Sequence, residues 1–245
     1  MKRTTQTLTA LSALALIAGS AQAGTVALTS VDDLDLTNVV KAYDFTFTAN
    51  EGTFDIDGVT FTRHNWHPIT AGASNPHTFD GLTLTHGWNN GIDNQGSGAP
   101  NVTLGGSAAD RNNLNALLDT WNIGSGQDNS SVLISIAVPD GTYDIQLIVG
   151  HNGGRENELF DIDAGGLNSG NEVSLGSFTT SDKNVIITGS AVATGGTLDL
   201  AIFGTPGSGD GRPVFSGLIV SQVPEPSSLA LLGLGGLLIA RRRRG

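Results

Sequence analysis

The sequence predicts an all-β domain, a two-sheet β-sandwich with one short helix. Three observations carry that expectation. Val132, Ile134, Ile136 and Val138 alternate with smaller residues, and Tyr143, Ile145, Leu147 and Val149 do so again after Pro139-Asp140-Gly141. Period two along a chain puts successive side chains on opposite faces of a strand. Thr53 to Ile56 and Val59 to Thr62 flank Asp57-Gly58, a dipeptide suited to a two-residue hairpin turn. Finally, the 34 glycines follow no Gly-X-Y period, which fits many tight turns between short strands.

Further strands are expected at 39–47, 82–86, 101–104, 159–163, 172–179, 184–190, 197–203 and 214–220. The single helix is expected to start at Asp110 as its cap. Leu114, Leu117, Leu118 and Trp121 then form an apolar stripe at i, i+3, i+4 and i+7, with Asn122 and Gly124 ending it.

The two ends of the 245-residue chain read as processing segments and stand apart from the fold. Residues 1–23 have the three parts of a secretory leader. Lys2 and Arg3 are the positive start, Leu8 to Ala18 the apolar run, and Ala21-Gln22-Ala23 a small-x-small site for signal peptidase. Residues 24–221 then make one β-sandwich domain, and 222–245 a C-terminal signal. That signal runs Pro224-Glu225-Pro226, an apolar stretch from Leu229 to Ala240, and Arg241, Arg242, Arg243 and Arg244. Pro224 and Pro226 hold an extended segment open to a processing enzyme. The apolar stretch forms a membrane helix whose arginines stay on the cytoplasmic side. At 12 residues it falls short of the roughly 20 that a comfortable span needs. It reads as a temporary stop in the bilayer.

The order Pro-Glu-Pro, apolar stretch, arginine cluster over 223–245 resembles the PEP-CTERM sorting domain. That resemblance implies processing by an exosortase, a membrane enzyme acting near the Pro-Glu-Pro motif. It also implies a Gram-negative producer, export across the inner membrane, and a place at the cell surface or in an exopolysaccharide or biofilm matrix. The stretch from Ser131 to Ser221 is similar to malectin-like and galactose-binding-like jelly-roll sandwiches. It is carried by Val138-Pro139-Asp140-Gly141-Thr142-Tyr143-Asp144-Ile145, Leu159-Phe160-Asp161-Ile162-Asp163 and Thr194 to Leu200. Such sandwiches commonly bind carbohydrate, often with structural calcium.

Charge narrows the partners. Of 12 basic residues, Lys2, Arg3 and Arg241 to Arg244 lie in the ends, which leaves the body six against 22 acids and a formal charge of −16. A body this acidic repels phosphate backbones, so no nucleic-acid partner is expected. With no cysteine, thiol catalysis and thiolate zinc sites are excluded.

Candidate binding residues fall in polar segments between strands. His64-Asn65-Trp66-His67-Pro68 joins two imidazoles to a ring able to stack on a sugar face, and it also suits a polar loop after a hairpin. Trp88 stands in His86-Gly87-Trp88-Asn89-Asn90-Gly91. His151, Asn152, Arg155 and Glu156 join two strands and offer hydrogen-bonding groups for hydroxyls, or a local Arg–Glu pair in a turn. Asp161 and Asp163, two apart on a strand, share a face and could ligate calcium through oxygen. No catalytic set stands out: Gly-x-Ser-x-Gly, a phosphate-binding loop and His-Glu-x-x-His are all missing. The expected function is therefore a non-enzymatic glycan-binding or structural component of extracellular polysaccharide. The alternative is a secreted polysaccharide hydrolase with two carboxylates converging in a cleft.

Overall fold

The structure is a computed structural model, and it describes residues 24–46, 51–65, 76–86, 92–97, 104–118, 120–124, 131–150, 159–165, 173–179, 184–204 and 214–224. The leader, most of the C-terminal signal and the expected strand at 101–103 lie outside these residues. Leu104, the last residue of that expected strand, is buried but not in a strand.

The strands in chain order are β1 (Gly24–Ala27), β2 (Val39–Thr46), β3 (Gly52–Ile56), β4 (Val59–Asn65), β5 (His77–Phe79), β6 (Leu82–His86), β7 (Ile92–Ser97), β8 (Thr120–Gly124) and β9 (Ser131–Ala137). They continue with β10 (Gly141–Gly150), β11 (Leu159–Ala164), β12 (Val173–Thr179), β13 (Asn184–Ala193), β14 (Thr197–Gly204), β15 (Val214–Phe215) and β16 (Gly217–Gln222). Among the described residues one α-helix, α1, spans Ala108–Leu118, and a single 3-10 turn spans Val31–Asp33. A seven-stranded sheet has the order β1-β13-β10-β16-β2-β4-β3, and a six-stranded sheet the order β12-β11-β14-β9-β6-β5. A small third sheet, β15-β8-β7, adjoins them. The molecule is thus the all-β, two-sheet, jelly-roll-like sandwich that the turns and alternation lead one to expect.

Two apolar layers hold it. Between the sheets lie Tyr43, Phe45, Leu84, Ile134, Ile136, Tyr143, Leu147, Leu200, Phe215 and Leu218, all at most 2% exposed. The second layer covers the outer face of the seven-stranded sheet. There Ala42, Ile148, Ile186 and Ile219 meet Leu114, Leu117 and Leu118 of α1, together with Leu28, Val31 and Leu34. Burial on both faces explains why β10 departs from strict alternation: every residue from Ile145 to Gly150 is buried. Gln146 sits among them because its side-chain amide clasps one peptide unit. Its Nε2 donates to Asp35 O at 2.6 Å, and its Oε1 accepts from Asp35 N at 2.9 Å. A buried polar group stays tolerable when it is satisfied in this way.

The helix differs from expectation at both ends. Asp110 is not its cap. The Asp110 N–H donates to Ser107 Oγ at 3.2 Å while Ser107 Oγ–H donates back to the Asp110 carboxylate, a reciprocal pair three residues apart. The carboxylate also accepts from Asp57 N at 2.9 Å, and Asn113 Nδ2 donates to Asp55 O at 2.7 Å. These bonds hold the Asp110 carboxyl below its ordinary range, Ser107 first and Asp57 second, and tie α1 to the β3–β4 hairpin. At the other end α1 stops at Leu118, so Trp121 belongs to β8 rather than to the helical stripe. The three leucines bury the whole apolar face within the shorter helix, and β15 offers β8 a pairing partner at Ile123 and Asn122.

The turns behave as their residues dictate. Asp57 and Gly58 have φ of 46° and 79°, and Asp80 and Gly81 have φ of 40° and 76°. Both residues of each pair are left-handed, as a type I′ hairpin turn requires.

Candidate functional site at the loop-bearing rim

Strand registers sort the connections between the two ends of the sandwich. In the seven-stranded sheet Gly150 pairs with Asn184, Gly217 with Asp44, and Thr46 with Asn65 across the parallel β2–β4 pair. One rim therefore carries the ends of β2, β4 and β10. In the six-stranded sheet Ser131 pairs with Phe203, His86 with Val132, and Leu159 with Thr179. Only residues 180–183 separate Thr179 from Asn184, which puts these ends at the same rim. The segments 47–50, 66–75, 87–91, 151–158 and 205–213 leave from strands that terminate there, and 125–130 enters β9 there.

The opposite rim holds tight turns at Asp57-Gly58, Asp80-Gly81, Pro139-Asp140 and Thr194-Gly195-Gly196, together with the departure of 166–172. Tyr143 Oη donates to Pro139 O at 2.8 Å and Gly196 N donates to Asp140 Oδ1 at 2.7 Å, locking two of these turns together.

Trp66, Trp88, His151, Asn152, Arg155 and Glu156 lie outside the described residues. What the topology fixes is the origin of their segments: all follow strands that end at the loop-bearing rim. Asp163 is half-buried, and Ile162 and Ala164 on either side of it face the core, so alternation turns Asp163 to the outer face of the six-stranded sheet. The β11–β12 register shifts between Ile162 and Asp163, and the Asp161 side chain is outside the described residues. Among the described residues no three His, Asp or Glu side chains gather as metal ligands. Pro224 is exposed, while Glu225, Pro226 and Arg241 to Arg244 lie outside the described residues, as do Ala21 and Ala23.

The densest polar chemistry among the described residues sits at the β2–β4 seam, reaching the loop-bearing rim. Asp44 is fully buried, and Arg63 Nε donates to its Oδ2 at 2.7 Å from the directly opposite register position. The Arg63 guanidinium also lies 4.6 Å from the centre of the Phe54 ring. Burial pushes the Asp44 carboxyl up to about 6, and the Arg63 hydrogen bond and charge offset only part of that rise. Asp44 Oδ1 has no hydrogen-bond partner among the described residues.

On the other face of the same strands, His64 is 2% exposed and stacks on Phe79 with centroids 3.6 Å apart. Its Nδ1 lies 3.4 Å from Oε1 of the exposed Glu51. Toward the opposite rim, Lys41 Nζ donates to Asp80 O at 3.0 Å and pairs with Asp80 Oδ2 at 3.2 Å. Tyr43 Oη donates to Asp80 O at 3.2 Å; burial first, then the Asp80 charge, pushes its phenol up.

Sequence reasoning singled out His64 but missed Asp44, Arg63, Glu51 and Tyr43. One signal could have found Arg63 and Asp44, though not Glu51 or Tyr43. The body has only six cations, and Lys41 and Arg63 stand on these two strands, so each deserved a search for its acid. Asp44 is fully buried and bound by Arg63, and the pair joins β2 to β4 close to the ends from which residues 47–50 and 66–75 depart.

The fold and rim define a class: a two-sheet β-sandwich in which six of the segments between strands meet one end. Beyond the sandwich, residues 222–244 match the PEP-CTERM protein-sorting motif. That motif implies export, membrane-anchored sorting in Gram-negative bacteria and processing by an exosortase. No curated protein matches the chain. Among solved structures it is similar to the plant receptor-like kinase FER, at 14% identity and a TM-score of 0.46 over 76% of this chain and 43% of that one. A β-glucuronidase of Bacteroides uniformis is similar at 14% identity and a TM-score of 0.45 over 75% of this chain and 18% of the enzyme. The extracellular domain of ANXUR1 from Arabidopsis thaliana is similar at 11% and 0.42, over 74% and 47%. The chain spans less than half the length of each.

Proposed function

We propose that this chain is a non-enzymatic surface or matrix protein, sorted by an exosortase, whose sandwich binds glycan in extracellular polysaccharide through its loop-bearing rim. The observation that carries the reading is the junction of a sorting motif with a sandwich in which six of the segments between strands meet one end. The segments holding Trp66, Trp88 and His151 to Glu156 start from that end, and they supply aromatic faces and hydrogen-bonding groups of the kind that sugars need. The acidic body keeps such a domain soluble and away from nucleic acid.

The test is a glycan array, followed by pull-down on polymer from the producing strain. Wild-type protein is expected to retain polysaccharide, and Trp66→Ala with Trp88→Ala to lose at least about tenfold in affinity, the range for removing stacked rings at a binding site. Absence of binding with and without calcium rejects the glycan reading. Polymer cleavage that survives both tryptophan changes favours the hydrolase.

A further inference from the structure

We propose that the rim of tight turns is the end of the sandwich that faces the membrane during sorting, so that the loop-bearing rim is held outward. The inference rests on the sorting motif and not on glycan binding.

It starts from where the chain leaves the fold. β16 is the last strand among the described residues and lies inside its sheet, between β10 and β2. It runs away from the loop-bearing rim: Gly217 pairs with Asp44 and Ile148 at one end, and Gln222 with Tyr143 at the other. The exit is stitched down. Gln222 N donates to Asn38 O at 3.0 Å and Val223 N donates to Thr142 O at 3.0 Å. The next residues, Pro224 onward, are already the sorting motif. No spacer separates body from signal.

Chain length then decides orientation. From Gln222 to Leu229, the first residue of the apolar stretch, there are seven steps. Fully extended chain covers at most about 3.6 Å per step, so the tether reaches about 25 Å. The ten residues of β10 span the sandwich from rim to rim. At roughly 3.3 Å per residue that is about 30 Å. Turning the loop-bearing rim toward the bilayer would lift the exit by that whole length, plus a headgroup layer of about 6 Å. The tether is too short. With the short turns down, the same tether reaches easily.

The chain has no cysteine, so single-cysteine labelling of the full-length protein is clean. Thr194→Cys marks the tight-turn rim and Glu51→Cys the loop-bearing rim; both positions are exposed. Pro139→Cys, also exposed, is a second probe of the tight-turn rim should position 194 disturb its turn. Each protein carries a fluorophore and is reconstituted into phosphatidylcholine vesicles with or without nitroxide-labelled headgroups. Nitroxide is expected to cut fluorescence at positions 194 and 139 and to leave position 51 at the level of unlabelled vesicles. Equal loss at both rims, or greater loss at position 51, overturns the inference. Failure of the protein to float with vesicles overturns it as well, by removing the tether, and leaves the glycan reading to its own test.

Discussion

Arg63→Met is expected to destabilise the protein by about 3–5 kcal/mol at pH 8 and by much less at pH 5. Removing one partner of a buried pair strands the other charge, at a cost of that order. Asp44 is the stranded group, fully buried on the outer face of β2. Its carboxyl, already raised to about 6, climbs further without the guanidinium. The pH dependence follows from linkage. A folded-state pKa above the unfolded value means stability is fully present below the unfolded pKa and is lost as pH rises through the folded one. In the wild type that window runs from the ordinary 3.8 to about 6. The shift corresponds to about 3 kcal/mol. Asp33 and Asp35 work oppositely: hydrogen bonds from Thr29 and from Thr37 hold them below 3.8, so their contribution disappears only as pH falls further. Urea melts at pH 5 and pH 8 separate the two. Asp44→Asn should remove the slope between them. Equal losses for Arg63→Met at both pH values would show that the pair acts through packing and not through charge.

A larger effect is expected from shortening the chain by eight residues. A protein spanning 24–223 should unfold cooperatively, whereas 24–215 should show no cooperative transition at all. β16 contributes Leu218, Ile219 and Val220, each fully buried, to both apolar layers. It also pairs with β10 on one side and β2 on the other. Without it, two strands face each other across an empty lane, with unpaired backbone groups along both. Net stabilities of about 5–15 kcal/mol cannot absorb that loss. Gly217 shows how closely the lane is filled: a Cβ there would stand 2.9 Å from Tyr43 O. Cooperative melting of 24–215 in thermal circular dichroism would mean that the sheet closes without its last strand. The expected dependence couples folding to export, since β16 leaves the translocating chain just before the sorting signal.

How much of this was legible in the sequence follows from how local each cause is. The Asp57-Gly58 hairpin, β9 and β10 could be read directly, because turn chemistry and alternation act over a few residues. β1 and β5 could not. Gly24–Ala27 is largely exposed and held by pairing with β13, and His77–Phe79 is a three-residue strand fixed by β6. In the sequence β8 resembles the tail of a helix because Trp121 fits a helical stripe; the pairing with β15, some ninety residues on, overrides it. Asp44 between Tyr43 and Phe45 looks like an outward-facing polar residue. It is buried because α1 and the β3–β4 hairpin roof that face, and because a parallel pairing sets Arg63 opposite it. The sorting motif was legible in full, since it is recognised as linear chain. The sugar-binding candidates were legible only as segments; what the fold adds is their shared origin at one rim.

The central claim is that a β-sandwich is exported and then processed at the motif immediately following its last strand. Intact mass spectrometry of the protein from a Gram-negative producer, with and without its exosortase, tests that directly. The claim predicts a chain beginning at Gly24 and ending near Pro224-Glu225-Pro226, with Arg241 to Arg244 gone only when the enzyme is present. Recovery of the same arginine-bearing C-terminus in both strains would contradict it.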